Sequence, residues 1–461
     1  MNLEFLRPAI KYLPEVSLPK RHVPFKEKLI WTGAALLLFF IMGTIYPVGV
    51  SPATLAEKIA GFSQLQMIFA SKIGTIVSTG IGPIVTASII LQLLHGAEMI
   101  DIDTKTQEGK ALFQGTQKIL TIIIAFFEAA ALVIATKMVA GQALIAFTVV
   151  QIALGSIVLM YVDEVVSKWG IGSGISLFIA AGVSETILIQ SINPLRGPAG
   201  TFAGIIPNFL DQMISGTMQL GLLYPILATI IVFVVVVYGE SMRIELPLSH
   251  VGLGGYKGRY PLRFFYVSNI PVILAAALLA NVQMWASFAG VDIYNPPQDM
   301  TIVQNIVYQV GSMVTLNELH GIISPGRVSR LLNIEVLLHL LIYLIAFTAL
   351  CVVFGKFWVQ TTNIDSDGIA KQIQDIGMQI PRWRQDGRIV KKVLDKYIPQ
   401  LTIISSIAVG LLAAGADLIG AIGSGTGILL TVGILYRFYE EIQREQMSDM
   451  PQSFRRLMGK A

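Results

Sequence analysis

Cysteine is almost absent from this sequence: Cys351 is the only one in 461 residues. An intrachain disulfide and a cysteine-based metal site are both excluded. Cys351 lies inside an apolar run, where a small buried side chain is its plain reading. Histidine is scarce too, and His22, His95, His250, His320 and His339 are dispersed, with no HExxH or comparable spacing and no GxxxxGKS/T nucleotide loop. An intramembrane enzyme would need a convergent Asp pair, a Ser–His pair or a metal set, and none is present. Charge is equally thin, at 13% of residues against about 25% in soluble domains. No long polar block interrupts the apolar runs between Leu29 and Phe438. The first 28 residues carry basic side chains and four prolines but no apolar core with a small-residue cleavage site, so they read as a cytosolic lead-in and not as a signal peptide.

What is present in excess is apolar surface. Hydrophobic residues make up 54% of the chain and the mean hydropathy is +0.68, which marks a polytopic membrane protein. A span needs about 20 mostly apolar residues. Ten segments qualify: 29–46, 74–94, 118–138, 143–161, 172–192, 221–239, 264–288, 332–359, 401–420 and 425–440. An even number puts both termini on one side. Of the 33 basic residues, 27 fall in segments on that side and only Lys58, Lys72, Lys137, Arg196, Arg327 and Arg330 on the other, so the termini are expected in the cytosol.

The spans divide as an all-α membrane protein of two five-helix halves. Residues 1–28 form the cytosolic lead, 29–192 the first half, 193–220 an external connection, 221–440 the second half and 441–461 a cytosolic tail. Inverted halves are common in transport proteins, although no convincing sequence repeat joins these two. Two cytosolic loops exceed what connection requires. Loop 241–263 has alternating, glycine-punctuated stretches that predict a hairpin. Loop 361–400 carries Arg382, Arg384, Arg388, Lys391 and Lys392. Projecting basic loops suit RNA or an acidic partner, and the ordinary cytosolic bias in basic residues is the competing explanation. Residues 55–70 have helical spacing but are too short to cross, which suggests a short helix that enters from outside and turns back, or one that lies on the surface.

Glu128, Glu185 and Asp417 are ionisable residues in or near spans, and such groups are functional candidates by default. Each taken alone fits a packed, hydrogen-bonded role better. The stretch GIGPIVTASIILQLL, residues 80–94, is more telling. Ile81 and Val85 stand one helical turn apart, and GIGSGISLFIAAG, residues 170–182, repeats the theme with Ile175 and Ile179. Small neighbours allow close helix approach. Branched aliphatics from several helices could form a narrow collar that resists ions by dewetting, while plain helix packing explains the same spacing.

Five motifs in order, GIGPIVTASIILQLL, ALFQGTQKIL, YVDEVVSKWGIGSGISLFIAAGV, YVSNIPVILAAAL and GSGTGILLTV, resemble the SecY family, channel subunits of the protein-conducting Sec translocon, in its archaeal form. The resemblance runs over nearly the whole chain. It implies ten transmembrane helices in two pseudo-symmetric halves around an hourglass pore, with a short re-entrant plug helix. By motif match, the pore ring is Ile81, Val85, Ile175, Ile179, Ile273 and Leu430. The plug is 55–70, with Leu55, Ile59, Phe62, Leu65 and Ile68 on its apolar side. A lateral gate between the second and seventh spans places Thr86, Ser88 and Gln92 opposite Ser268 and Asn269.

The same resemblance implies a channel that moves unfolded polypeptides and releases hydrophobic segments sideways into lipid. Its partners would be the SecE and Sec-beta subunits, signal sequences, membrane lipids and the ribosome with its nascent chain and RNA, met through Arg243, Lys257, Arg259 and Arg384. No cofactor is implied, catalysis is not expected, and the energy source would be the partner. The setting is the cell membrane. A secondary transporter of a small solute is the alternative, and it would require paired intramembrane charges at broken helices, where this sequence has aliphatic side chains.

Overall fold

In a computed structural model, the chain is described over residues 6–50, 66, 69–96, 99–100, 102, 106–136, 138–139, 141–196, 200–217, 219–250, 257–267, 269–288, 291, 300–313, 319–324, 327–362, 364–375, 378–379 and 387–449. Each of the ten expected spans contains a helix, from 15 residues in the second to 33 in the ninth. The first half holds α2 (Phe25–Met42), α3 (Gly82–Gly96), α4 (Gln107–Thr136), α5 (Gln142–Trp169) and α6 (Gly174–Ile192), preceded by the short α1 (Arg7–Tyr12). A short surface helix, α7 (Ile205–Ile214), lies in the connection between the halves. The second half holds α8 (Tyr224–Ser241), α9 (Ile270–Phe288), α11 (Ile334–Thr361), α13 (Gly387–Ile419) and α14 (Gly425–Asp449), with the shorter α10 (Ile302–Met313) and α12 (Ser366–Asp375) between them.

Six described helices are long and apolar enough to cross a membrane on composition alone, and α3 and the first part of α9 are shorter apolar helices. Burial is nearly all-round on the first turns of α3, where Gly82 to Ala87 are consecutively buried, and one-sided on α2. On α2 the buried residues are Thr32, Ala35, Phe39 and Met42, at the three- and four-residue spacing of a single face. Ile30 and Leu37 on its other faces are 70% and 62% exposed. Large aliphatics turned outward on an otherwise packed helix bundle are what a lipid solvent requires.

Within each half, α4 packs on α3 and α5, and α11 packs on α9 and α13. Two seams join the halves. At one, α3 and α4 meet α9, and α11 also reaches α3; at the other, α6 meets α14. A single buried apolar cluster runs through both halves, from Phe39 and Ile81 to Leu430 and Ile434.

The predicted hairpin is present. Strands β1 (Arg243–His250) and β2 (Lys257–Arg263) pair antiparallel from Arg243↔Arg263 to Ser249↔Lys257. A third strand, β3 (Met378–Gln379), pairs with the far end of β1, so the two long basic loops meet in one sheet. The second loop is also more regular than its polarity suggested. Helix α13 starts at Gly387 and runs straight into the span, with Pro399 inside it.

The second span needs a correction. Its helix begins at Gly82, not near residue 74, because the preceding segment is a chain of turns with positive φ at Gly74 and Gly80, and Pro83 then suits a first helical turn. Of the predicted plug, Leu55, Ile59, Phe62, Leu65 and Ile68 lie outside the described residues, as do Ser268 and Arg384.

Candidate functional site

Residues 69–81, ahead of α3, are almost entirely buried and form no helix. Non-helical backbone at membrane depth survives only when it is buried in protein and its polar groups are satisfied. Here the segment itself and α5 supply the partners. The Gly74 amide donates to Ser78 Oγ at 3.0 Å and the Val77 amide to Thr75 Oγ1 at 3.2 Å. Ser156 on α5 donates to the Gly80 carbonyl at 3.1 Å, and the Thr79 and Ser156 hydroxyls lie 2.5 Å apart. The Ile81 amide returns to the Phe69 carbonyl at 2.8 Å. Only glycine fits at position 80, where φ is +54° and an added Cβ would lie 2.1 Å from the Phe69 carbonyl oxygen. This turn aims Ile81 and the first turn of α3 inward.

Five of the six predicted ring residues, Ile81, Val85, Ile179, Ile273 and Leu430, are buried members of the cluster that spans both halves, and Ile175 is partly buried against it. They belong to α3, α6, α9 and α14. Each lies within the first two turns of its helix or, for Ile81, immediately before it.

These helix starts contain the sequence repeat that whole-span comparison misses. Pro83-Ile84-Val85 on α3 corresponds to Pro271-Val272-Ile273 on α9, with a predicted ring residue two positions after proline in both. Ile171-Gly172-Ser173-Gly174 before α6 recurs as Ile422-Gly423-Ser424-Gly425 before α14. Ile179 and Leu430 each follow the last glycine by five residues.

The structural roles repeat as well. Gly172 and Gly423 have φ of +70° and +77°. Asp163, from the preceding helix, accepts the Ile175 amide at 2.8 Å. Asp417, also from the preceding helix, accepts the Gly425 amide at 2.6 Å and the Thr426 hydroxyl at 2.8 Å. In each half, an aspartate of the fourth long helix satisfies open amides at the start of the fifth. Asp417 is therefore a cap.

The α3–α9 seam carries a polar latch. Asn281 Nδ2 donates to Thr86 Oγ1 at 2.9 Å, and Thr86 Oγ1 donates to Glu128 Oε1 on α4 at 2.7 Å. All three side chains are buried. Thr86 follows Val85 directly, and consecutive helical residues point about 100° apart, so one turn of α3 faces both the ring and the seam.

Of the predicted gate residues, Thr86 makes this bond across the seam. Gln92 donates to Ser88 at 2.9 Å within α3, and Asn269 donates to the Leu429 carbonyl of α14 at 3.3 Å. Asn269 precedes Asn281 by twelve residues, about 18 Å along the helix, which puts it far from the level of Thr86. Asn281 escaped sequence reasoning because a lone asparagine in an apolar run has no periodic partner. The accompanying signal was Glu128, an ionisable residue in a span.

Glu185 on α6 pairs with Lys72 at 2.6 Å, which ties the 69–81 segment to α6. Among the docking candidates, Arg243 is engaged by Glu440 of α14 at 2.6 Å. Lys257 and Arg259 lie on β2, opposite Ser249 and Pro247.

A family model described as SecY matches residues 75–439. The chain belongs to the SecY family. It is 45% identical to the protein translocase subunit SecY of Methanocaldococcus jannaschii over 461 residues, covering 99% of each chain. Among solved structures, it resembles a SecY-family member described as the structure of a protein conducting channel, with 43% identity, a TM-score of 0.82 and coverage of 96% of this chain and 98% of that one. A second neighbour is Sec61 in the canine ribosome-channel complex from the endoplasmic reticulum, with 43% identity, a TM-score of 0.79 and the same coverage. The chain is thus an all-α, multi-pass membrane protein with the SecY architecture, and its function is that of a protein-conducting channel.

Proposed function

We propose that the four helix starts form the waist through which an unfolded polypeptide passes, and that the Asn281–Thr86–Glu128 latch closes the side exit into lipid. The observation that carries this reading is the adjacency of Val85 and Thr86 on α3, with Val85 in the buried aliphatic cluster and Thr86 bonded across the seam. Branched aliphatic side chains seal around an extended chain by excluding water and offer it no specific hydrogen bonds. Sequence tolerance follows.

A hydrophobic segment leaves sideways when its transfer to lipid outweighs a latch of a few bonds, each worth about 1 kcal/mol in membranes. In this reading Ile81, Val85, Ile175, Ile179, Ile273 and Leu430 are the ring. Thr86 and Asn281 form the gate seam with Glu128 behind it, and Ser88, Gln92, Ser268 and Asn269 line its cytosolic approach. Residues 55–70 are the plug, whose described end, Phe69 and Ala70, is buried beside the start of α3.

The chain works in the cell membrane with both termini in the cytosol, as its basic residues indicate. SecE and Sec-beta border it. The ribosome docks on the basic cytosolic sheet through Lys257 and Arg259, with Arg243 at its base and Arg384 in the second loop, in keeping with the ribosome-bound state of the canine neighbour. The protein acts as a passive conduit without catalysis of its own.

The test places a photo-crosslinking residue at Ile81 or Ile175 in the complete membrane complex and supplies ribosomes bearing a stalled chain with a signal sequence. Crosslinks to the chain interior are expected from these positions and not from lipid-facing Leu37. Their absence with an engaged ribosome would remove the ring assignment.

A further inference from the structure

Arg243 and Arg263 are directly opposite each other at the open end of the cytosolic hairpin. Like charges in that register repel, so an anion between them favours the pairing there. Glu440 on α14 supplies it. Arg243 Nη2 donates to its Oε1 at 2.6 Å, and Arg263 Nη2 donates to its Oε2. The carboxylate is only 15% exposed, which strengthens charge-assisted bonds of this kind. One turn earlier on α14, the Tyr436 hydroxyl lies 3.5 Å from the same Arg243 nitrogen. Packing fixes the other side of the hairpin base. Phe265, just past β2, sits so close to Gly239 at the end of α8 that an added Cβ would lie 2.6 Å from its ring.

Glu440 and Leu430 share one continuous helix, ten residues or about 15 Å apart. That helix packs on α8 and α13 in its own half and on α6 and α2 in the other. A displacement of the hairpin base is therefore applied to the element that carries a ring residue and touches both halves.

We propose that Glu440 is a positioning residue that couples docking on the cytosolic hairpin to opening of the pore. This rests on the reading of the hairpin as a docking surface. The fork transmits the load of a docked partner to α14, while the contacts themselves are made further out on the hairpin.

The experiment uses the complete complex in liposomes with ribosomes bearing a stalled secretory chain. It measures ribosome Kd and, at saturating ribosome, the fraction of nascent chain protected from protease. Glu440→Gln is expected to leave Kd and the resting ion leak unchanged and to lower the protected fraction about tenfold, within the usual range of coupling between sites. Glu440→Asp keeps the charge and is expected to restore protection. Normal protection in Glu440→Gln overturns the coupling. So does a weaker Kd with normal protection at saturation, which would place Glu440 in docking alone. A raised resting leak would make it a structural support, and equal defects in Gln and Asp variants would assign the effect to size; either result also overturns the proposal. An unchanged Kd in Lys257→Ala/Arg259→Ala defeats the docking reading instead, a separate failure.

Discussion

Thr86 shows how much a single hydroxyl can decide at this seam. Replacing it with valine preserves shape but leaves Glu128 without its donor and Asn281 without its acceptor, at a cost of about 1–3 kcal/mol for buried groups left unpaired. That cost falls on the closed seam. Thr86→Val is therefore expected to let less hydrophobic segments into lipid, read as the minimum leucine count that integrates in a leucine–alanine test series. Ser88→Ala removes only a bond within α3 and should leave that threshold unchanged; equal thresholds in the two variants would remove the latch. Gly80 is the opposite case, a residue defined by what it lacks. A methyl group there meets backbone at 2.1 Å and adds about 1–2 kcal/mol of left-handed strain. Gly80→Ala should displace residues 69–81, lowering the melting temperature of the assembled complex and raising its resting leak. A wild-type melting temperature and leak would contradict the close packing.

Among the elements, the helix starts carry the most information, and they were the least legible part. Hydropathy located all ten span helices because twenty apolar residues signal a span whatever their backbone does. The same insensitivity merged the turns of 74–81 with α3 and hid a helical start at Gly387 behind polar side chains. The family motifs singled out the proposed ring positions, which the fold gathers into one apolar cluster. The repeat that relates them is only three or four residues long at each site, below what a comparison of whole spans detects. Asn281 required knowing which residues of α3 and α9 share a level, which composition does not encode. If the two aspartates are equivalent caps, Asp163→Ala and Asp417→Ala should each destabilise the complex by about 0.5–2 kcal/mol. Asparagine at either position keeps an acceptor and should be milder, as measured by thermal unfolding in detergent. A large loss at one position and none at the other would deny the equivalence.

For the whole molecule, the two seams between the halves are built differently. At α3–α9, a short chain of hydrogen bonds spans the contact, so the closed arrangement depends on a few discrete bonds. At α6–α14, Gly423 and Gly427 bring α14 against Ile187 and Val183, close packing of the kind that holds helices together in lipid without polar bonds. The first seam is suited to open and the second to act as the hinge. Covalent ties distinguish these roles. With Cys351→Ala as background, Val183→Cys with Gly427→Cys should form a disulfide, since a Cβ at Gly427 would lie 3.2 Å from Val183 Cγ2, the place a cysteine sulfur at 183 can take. That bridge is expected to leave membrane integration intact. A short bifunctional thiol linker between Thr86→Cys and Asn281→Cys should abolish it, measured by carbonate-resistant insertion of a hydrophobic test segment. Loss of insertion on tying α6 to α14, with none on tying α3 to α9, would exchange hinge and gate.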